Sequence, residues 1–368
     1  MTSSPVLSAP GAIPPPEETT DPGVPWHFGD PLGEQRAAER GVGVTDRSHR
    51  EVIAVPGEER LSWLHLVLSQ HVSGLADGAG SEALVLDSQG RVDAHMVVSH
   101  VDGTVWLDTE AGAATVGTRG GRVPLLEYLE QMRFWSKVEP RDATGEVAVL
   151  SLVGPKTPEL LAELGLPVPR GAYASASGGG VLVRRMPWPG PDAADLLVPR
   201  EALADWWARI TAAGARAMGS LAFEALRVAA LRPRLGVDTD EKTIPHEVSW
   251  VPSAAHVAKG CYRGQETVSK VHNVGRPPRR MLLLHLDGAA DELPETGTPV
   301  TAGERVVGRV GTAVQHHELG PVALALLKRS VEPATPLAAG GAQAAVDPDS
   351  VPGEQGGAGR AAAKGLRG

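Results

Sequence analysis

The residues best suited to chemistry lie in one short run, Lys259-Gly260-Cys261-Tyr262-Arg263-Gly264-Gln265-Glu266, which holds the only cysteine of the chain. Thiolate is the reactive form of cysteine, and nearby cations favour it. Lys259 and Arg263 flank the thiol two residues away on either side. Gly260 and Gly264 allow backbone conformations closed to other residues. From 259 to 280 six basic residues (Lys259, Arg263, Lys270, Arg276, Arg279, Arg280) face one acid, Glu266, in a chain whose formal net charge is −9. The contrast reads as a basic surface facing an anionic ligand. The plainer alternatives are a solvated interdomain linker and, for Cys261, an inert buried thiol. Its polar neighbours argue against burial.

The rest of the composition narrows the options. One thiol excludes an intramolecular disulfide and any zinc or iron–sulfur site held by cysteines alone. With 368 residues, 42% of them hydrophobic, the chain is long enough for two or three domains. The acidic balance disfavours a general nucleic-acid binder without excluding a local basic site. Residues 1–16 lack the basic and apolar regions of a secretory signal, and no apolar run approaches the ~20 residues of a membrane span. A cytoplasmic location and no membrane partner are expected.

The elements that must position the thiol mix without regular βαβ alternation, which implies an α+β class. Strands are expected at 51–55, 83–87, 92–99, 104–108, 146–153, 181–185 and 196–198, with a hairpin turn at Asp102-Gly103. Helices are expected at 57–69, 125–135, 157–164, 201–213 and 220–231. The element order resembles ferredoxin-like units. After Pro277-Pro278 only short strands bounded by Gly and Pro follow (281–286, 305–314, 322–327), the pattern of a small β-barrel or sandwich. Residues 1–25 and 339–368 read as disordered tails, leaving an α+β region at 26–277 and a barrel at 278–338.

The run KGCYRGQE resembles the signature of the YgfZ family, relatives of the glycine-cleavage T-protein. Glu224-Ala225-Leu226-Arg227, Leu235-Gly236-Val237-Asp238 and Ile244-Pro245-His246-Glu247 resemble the same family, and the likeness covers roughly residues 36–335. It implies two intertwined α+β parts around a central folate pocket, closed by a C-terminal β-barrel. It also implies a folate-binding accessory protein, with tetrahydrofolate or a derivative as cofactor. Such a protein supports the assembly or repair of iron–sulfur client proteins, including tRNA-modifying ones. On this resemblance Cys261 and Lys259 are the candidate catalytic residues, and Asp93, Arg227, Tyr262, Gln265 and Glu266 the candidate folate contacts. No metal site is implied.

A pterin edge presents amino and ring N–H donors and so needs a carboxylate, while a glutamate tail needs cations. T-proteins carry a Gly-x-x-Asp-Asp stretch where this chain has Asp93 followed by Ala94. They carry an Arg-x-Glu pattern where it has Arg227 and Ala229. The acid of their Tyr-Gly-rich turn has no clear match in Met186–Asp192, although Asp192 and Asp195 are close by. These departures disfavour the alternative of a tetrahydrofolate-dependent aminomethyltransferase. A second alternative is a non-catalytic RNA- or protein-binding module using the basic run. The simpler readings are a solvated turn residue for Asp93 and a structural ion pair, with Asp238 or Glu247, for Arg227. Trp206-Trp207 suggest core packing by one ring, and His316-His317-Glu318 a turn or loop rather than a metal site. His95, His100 and His272 show no partner pattern.

Overall fold

The protein is described by a computed structural model covering residues 3–17, 19–290 and 292–353. Two sheets face each other, and the chain weaves between them. Gly43–Asp46 starts a six-stranded sheet, the chain then builds a five-stranded sheet from 51 to 142, and Val147–Val153 returns to pair antiparallel with Gly43–Asp46. Runs such as Val147–Val153 and Val92–Val101 are buried almost throughout, because helices cover one face of each sheet and the opposite sheet covers the other. The architecture is α+β, with a closed six-stranded barrel formed by Arg279–Leu286, Pro299–Ala302, Arg305–His316, Gly320–Lys328, Leu337–Ala339 and Ala342–Val346.

Period-two alternation ties the barrel to the rest. In Arg279–Leu286, Leu282, Leu284 and Leu286 fill the barrel, whereas Met281 and Leu283 join the core under the five-stranded sheet. That second core also takes Tyr262 and Val268 from the cysteine segment. Behind the six-stranded sheet both Trp206 and Trp207 are buried, rather than the one expected. Arg209 lies 3.9 Å over the Trp206 ring and Phe28 stacks on Trp207, so partners on two sides cover adjacent rings.

Two expected tails are structured where they are described. In the N-terminal one, Val6 enters the core of the six-stranded sheet, Ser4 donates to the Asp46 carboxylate, and Asp21 is 6% exposed between Arg234 and His49. Its partners lie far away in sequence, so no local periodicity announces it. At the other end Ala342–Val346 pairs with Arg279–Leu286 and closes the barrel, which therefore runs beyond residue 338. Residues 354–368 of the expected C-terminal tail lie outside the described residues.

The faces that the two sheets turn towards each other carry charge. Arg184, fully buried, bridges Asp108 and Asp195 at 2.6 Å each. Arg50 holds Asp108 at 2.8 Å and pairs with Glu110, which also holds Arg234 at 2.9 Å. Burial opposes ionisation of Asp108, but Arg184 and Arg50 outweigh it and leave the carboxyl at about 2. A carboxylate lowered in the folded state stabilises the fold above its unfolded pKa, and the contribution fades as pH falls through the folded one. Urea midpoints of the wild type should therefore decline from about pH 4 towards pH 2. Asp108→Asn should cost about 3–5 kcal/mol at neutral pH by stranding two guanidiniums, and should flatten that acid decline.

Candidate functional site

The cysteine sits on an exposed loop between two anchors. The first is Lys259, 4% exposed, whose ammonium donates to the carbonyls of His65, Leu68 and Gln70 at the C-terminal end of helix Arg60–Val67. Those carbonyls have no partners within the helix, so the lysine caps it. Burial draws the Lys259 pKa down to about 8, while three acceptors favour the charged form. All three N–H donors are engaged, so Lys259 positions the loop and has none left for a ligand.

The second anchor is a contact between two glycines. Gly264 (φ +78°) precedes the helix Gln265–Val274, which sequence periodicity did not reveal. A Cβ on Gly264 would lie 2.5 Å from the Asp87 carbonyl oxygen and 2.7 Å from Gly90 Cα. A Cβ on Gly90 would lie 2.6 Å from Thr267 Cβ. Only Gly264 of the loop's two glycines is demanded by geometry, since a Cβ on Gly260 meets nothing within 4 Å.

This contact seats the loop against the turn that leads to Asp93. Asp93 is 5% exposed rather than solvated; it accepts from Gly117 N at 3.2 Å and pairs with Arg122 at 2.8 Å. Arg263 donates to the Gly117 carbonyl at 3.0 Å, tying the loop to the same hairpin, Thr115–Thr118 with Gly121–Pro124. Gln265 donates to the Lys259 carbonyl at 2.8 Å and closes the loop on itself. Tyr262 points inward with a buried hydroxyl that has no partner among the described residues, its pKa pushed up to about 12 by burial. Glu266 is exposed on the first turn of the helix.

Arg227 lies elsewhere. Its five N–H donors serve both oxygens of Glu224, Asp238, the Arg232 carbonyl and the hydroxyl of Thr312 in the barrel. With all five donors so engaged, it joins the α+β region to the barrel, apart from the thiol loop. Glu247, its other suggested partner, is held by Arg279 instead.

A second cluster escaped the sequence reading. Glu82, fully buried on strand Ala79–Leu86, accepts from Arg232 and lies 3.4 Å from His95 Nε2. His95 stacks on Trp250 with centroids 4.5 Å apart and planes 8° from parallel, and Arg232 lies 5.2 Å over Trp188. Burial works against the charge of Glu82, but His95 and Arg232 outweigh it and hold the carboxyl far below its ordinary range. Burial and then the Glu82 charge push the Tyr173 phenol up. Five buried polar atoms here have no partner among the described residues: Glu82 Oε2, His95 Nε2, Arg232 Nε, Trp188 Nε1 and Trp250 Nε1. Buried polar atoms are rarely left unpaired, and such a concentration marks a place for polar guest atoms. The available signal was one acid within the buried run Glu82–Leu86. Trp188 comes from the 186–192 stretch, whose nearby acids Asp192 and Asp195 are bound to Arg185 and Arg184.

His316 and His317 converge on Glu39 rather than pointing apart, with His317 Nε2 2.5 Å from Glu39 Oε2. His316 Nδ1 accepts the N–H groups of Glu318 and Leu319 at 3.2 Å each, which places its proton on Nε2. A protonated Nε2 offers no lone pair to a metal, and the trio latches helix Pro31–Arg40 to the barrel.

Two facing α+β halves, a closing barrel and a thiol loop docked on the five-stranded half define a protein of the T-protein fold. The structure aligns with the glycine cleavage system aminomethyltransferase T from Bartonella henselae at a TM-score of 0.79, covering 94% of this chain and 96% of that one at 18% identity. The GCVT N-terminal domain model matches residues 24–251, well over half of the sequence, and the chain belongs to that family. Residues 279–353 match the CAF17, C-terminal beta-barrel domain. The chain is 30% identical over 244 residues to an aminomethyltransferase of Nitrosococcus oceani (62% of this chain, 63% of the relative). It is 26% identical over 285 residues to the putative transferase At1g60990, chloroplastic, of Arabidopsis thaliana (74% and 62%). The match thus spans less than two thirds of each of these two relatives. An aminomethyltransferase of Streptomyces coelicolor is 24% identical over 315 residues, 82% of each chain. No helix among the described residues is long and apolar enough to cross a membrane.

The glycine contact and the lysine cap can be tested separately. Gly264→Ala should destabilise the protein by about 1–3 kcal/mol and speed alkylation of Cys261 by iodoacetamide, whereas Gly260→Ala should change neither. Lys259→Met should cost about 1–3 kcal/mol in urea unfolding and likewise speed alkylation.

Proposed function

We propose that the chain is a YgfZ-type, folate-binding accessory protein that supports iron–sulfur enzymes, with Cys261 as the reacting group. The observation that carries the reading is the KGCYRGQE loop, its lone thiol exposed and its backbone locked beside Asp93 on a T-protein fold. The match of the barrel to the CAF17 C-terminal domain supports the same branch. Relatives named aminomethyltransferase share the fold, but Ala94 and Ala229 stand where that chemistry has acids, which weighs against transfer of an aminomethyl carbon.

The residues present fit a folate in an unexpected way. The pterin edge requires a carboxylate, and Glu82, beside the Tyr173 phenol, supplies a buried, ionised one whose Oε2 has no hydrogen-bond partner among the described residues. Trp188, Trp250 and Tyr173 provide the aromatic and hydrogen-bonding walls that a flat heterocycle needs. Arg232 and His95 hold Glu82 charged. Bound folate would supply a carrier for a one-carbon unit; this chain's own part is to orient it and keep water away.

Calorimetric titration with tetrahydrofolate should show binding by the wild type and a loss of roughly tenfold or more for Glu82→Gln, since hydrogen bonds to a charged group are worth about 1.5–3 kcal/mol. Equal affinity with an unchanged melting temperature would remove Glu82 from the site, and no binding by the wild type would end the folate reading. In a deletion strain, Cys261→Ala should fail to restore iron–sulfur enzyme activity. Full restoration would refute the role of the thiol.

A further inference from the structure

A cavity of about 260 Å³ opens where the cysteine helix Gln265–Val274, the turn Pro245–Val248 and the barrel meet. It is separate from both the thiol loop and the Glu82 cluster, and its lining is cationic. Arg280 and Arg329 enter from the barrel side, and His246 and His272 from the α+β side. Among the described residues both ring nitrogens of His246 are buried without a hydrogen-bond partner, as is Arg280 Nε. A neutral imidazole carries one donor and one acceptor, so leaving both unmet is costly.

Among the described residues the charges are also unbalanced. The nearby Glu247 is occupied by two hydrogen bonds from Arg279 at 2.8 Å. Burial and then the charge of Arg329 lower the Arg280 pKa, with Glu332 as the opposing carboxylate. Burial and the neighbouring His272 push His246 down to about 4. Two guanidiniums and an orphan imidazole converging on one small space match the several donors that a phosphate group needs. Val251 and Met281 line the remainder with apolar surface. The volume is below that of a drug-sized pocket, which limits the guest to a small molecule.

We infer that this cavity binds a small phosphate monoester, its phosphate held by Arg280, Arg329 and His246 and its apolar or aromatic part against Val251 and Met281. Phosphate places negative charge beside the imidazole, so binding should raise the His246 pKa towards its ordinary value.

The full-length chain can be titrated at near-neutral pH with inorganic phosphate, phenyl phosphate and acetate while the histidine ring resonances are followed by NMR. Phenyl phosphate should shift the His246 and His272 signals and bind more tightly than inorganic phosphate; acetate should leave them in place. Arg329→Gln, at an exposed position, should keep the wild-type melting temperature and weaken phenyl phosphate binding about tenfold or more, a loss of about 1.4 kcal/mol. Arg280→Gln should weaken binding similarly, with some loss of stability because Arg280 also donates to the Val331 carbonyl at 2.8 Å. Unmoved signals with phenyl phosphate, equal affinity in Arg329→Gln, equal affinity for the inorganic ion, or an equal response to acetate would each overturn the assignment.

Discussion

Charged side chains enclosed between two sheets are the constraint on which this molecule depends. Arg184, Asp108, Arg50, Glu110, Arg234 and Asp21 form a continuous series of ion pairs, all nearly or fully buried. Such pairs add little net stability, because desolvation offsets attraction, but breaking one partner is heavily penalised. They therefore act on register. A slip of one residue in strand Thr104–Thr109 would turn Asp108 away from two guanidiniums and leave both unmet. The weaving of the chain makes that slip harder, since the six-stranded sheet pairs strands from before and after the five-stranded one.

The same network decides where space remains. Around Asp21, His49 and Arg234 the halves close to a residual cavity of about 10 Å³. Among the described residues, unpaired buried polar atoms accumulate instead around Glu82, beside the rings of Trp188 and Trp250. The thiol loop is joined to this arrangement through backbone contacts. Tyr262 and Val268 share the core of the five-stranded sheet, Gly264 rests on Gly90, and the Lys259 cap grips a helix of the same layer.

Much of the frame was legible in the sequence because it rests on local patterns. Alternation marks the strand around 92–99, a short apolar run after Gly320-Pro321 marks the one at 322–327, and Pro277-Pro278 mark the change to barrel strands. The thiol loop stood out by residue type and charge. Features stabilised by distant partners were hidden. Asp21 belongs to a Pro-rich run without periodicity, and its reason for order is Arg234, 213 residues away. Glu82 is one acid in a strand, and its meaning depends on Arg232, His95 and Trp250. The cysteine helix carries three β-branched residues among its first seven, which masks its helical character. Lys259 and Arg227 were recognised as special, but only the count of their occupied donors separates a structural clamp from a ligand contact.

The solitary thiol has a consequence for redox chemistry. Exposed cysteines oxidise first to a sulfenic acid, which in many proteins is captured by a resolving cysteine of the same chain. Cys261 has no such neighbour. A sulfenic acid or mixed disulfide formed there can be reduced only by a thiol from another molecule, so recovery is bimolecular and follows the supply of external reductant. The loop's anchors hold the sulfur where such a molecule must approach from solvent.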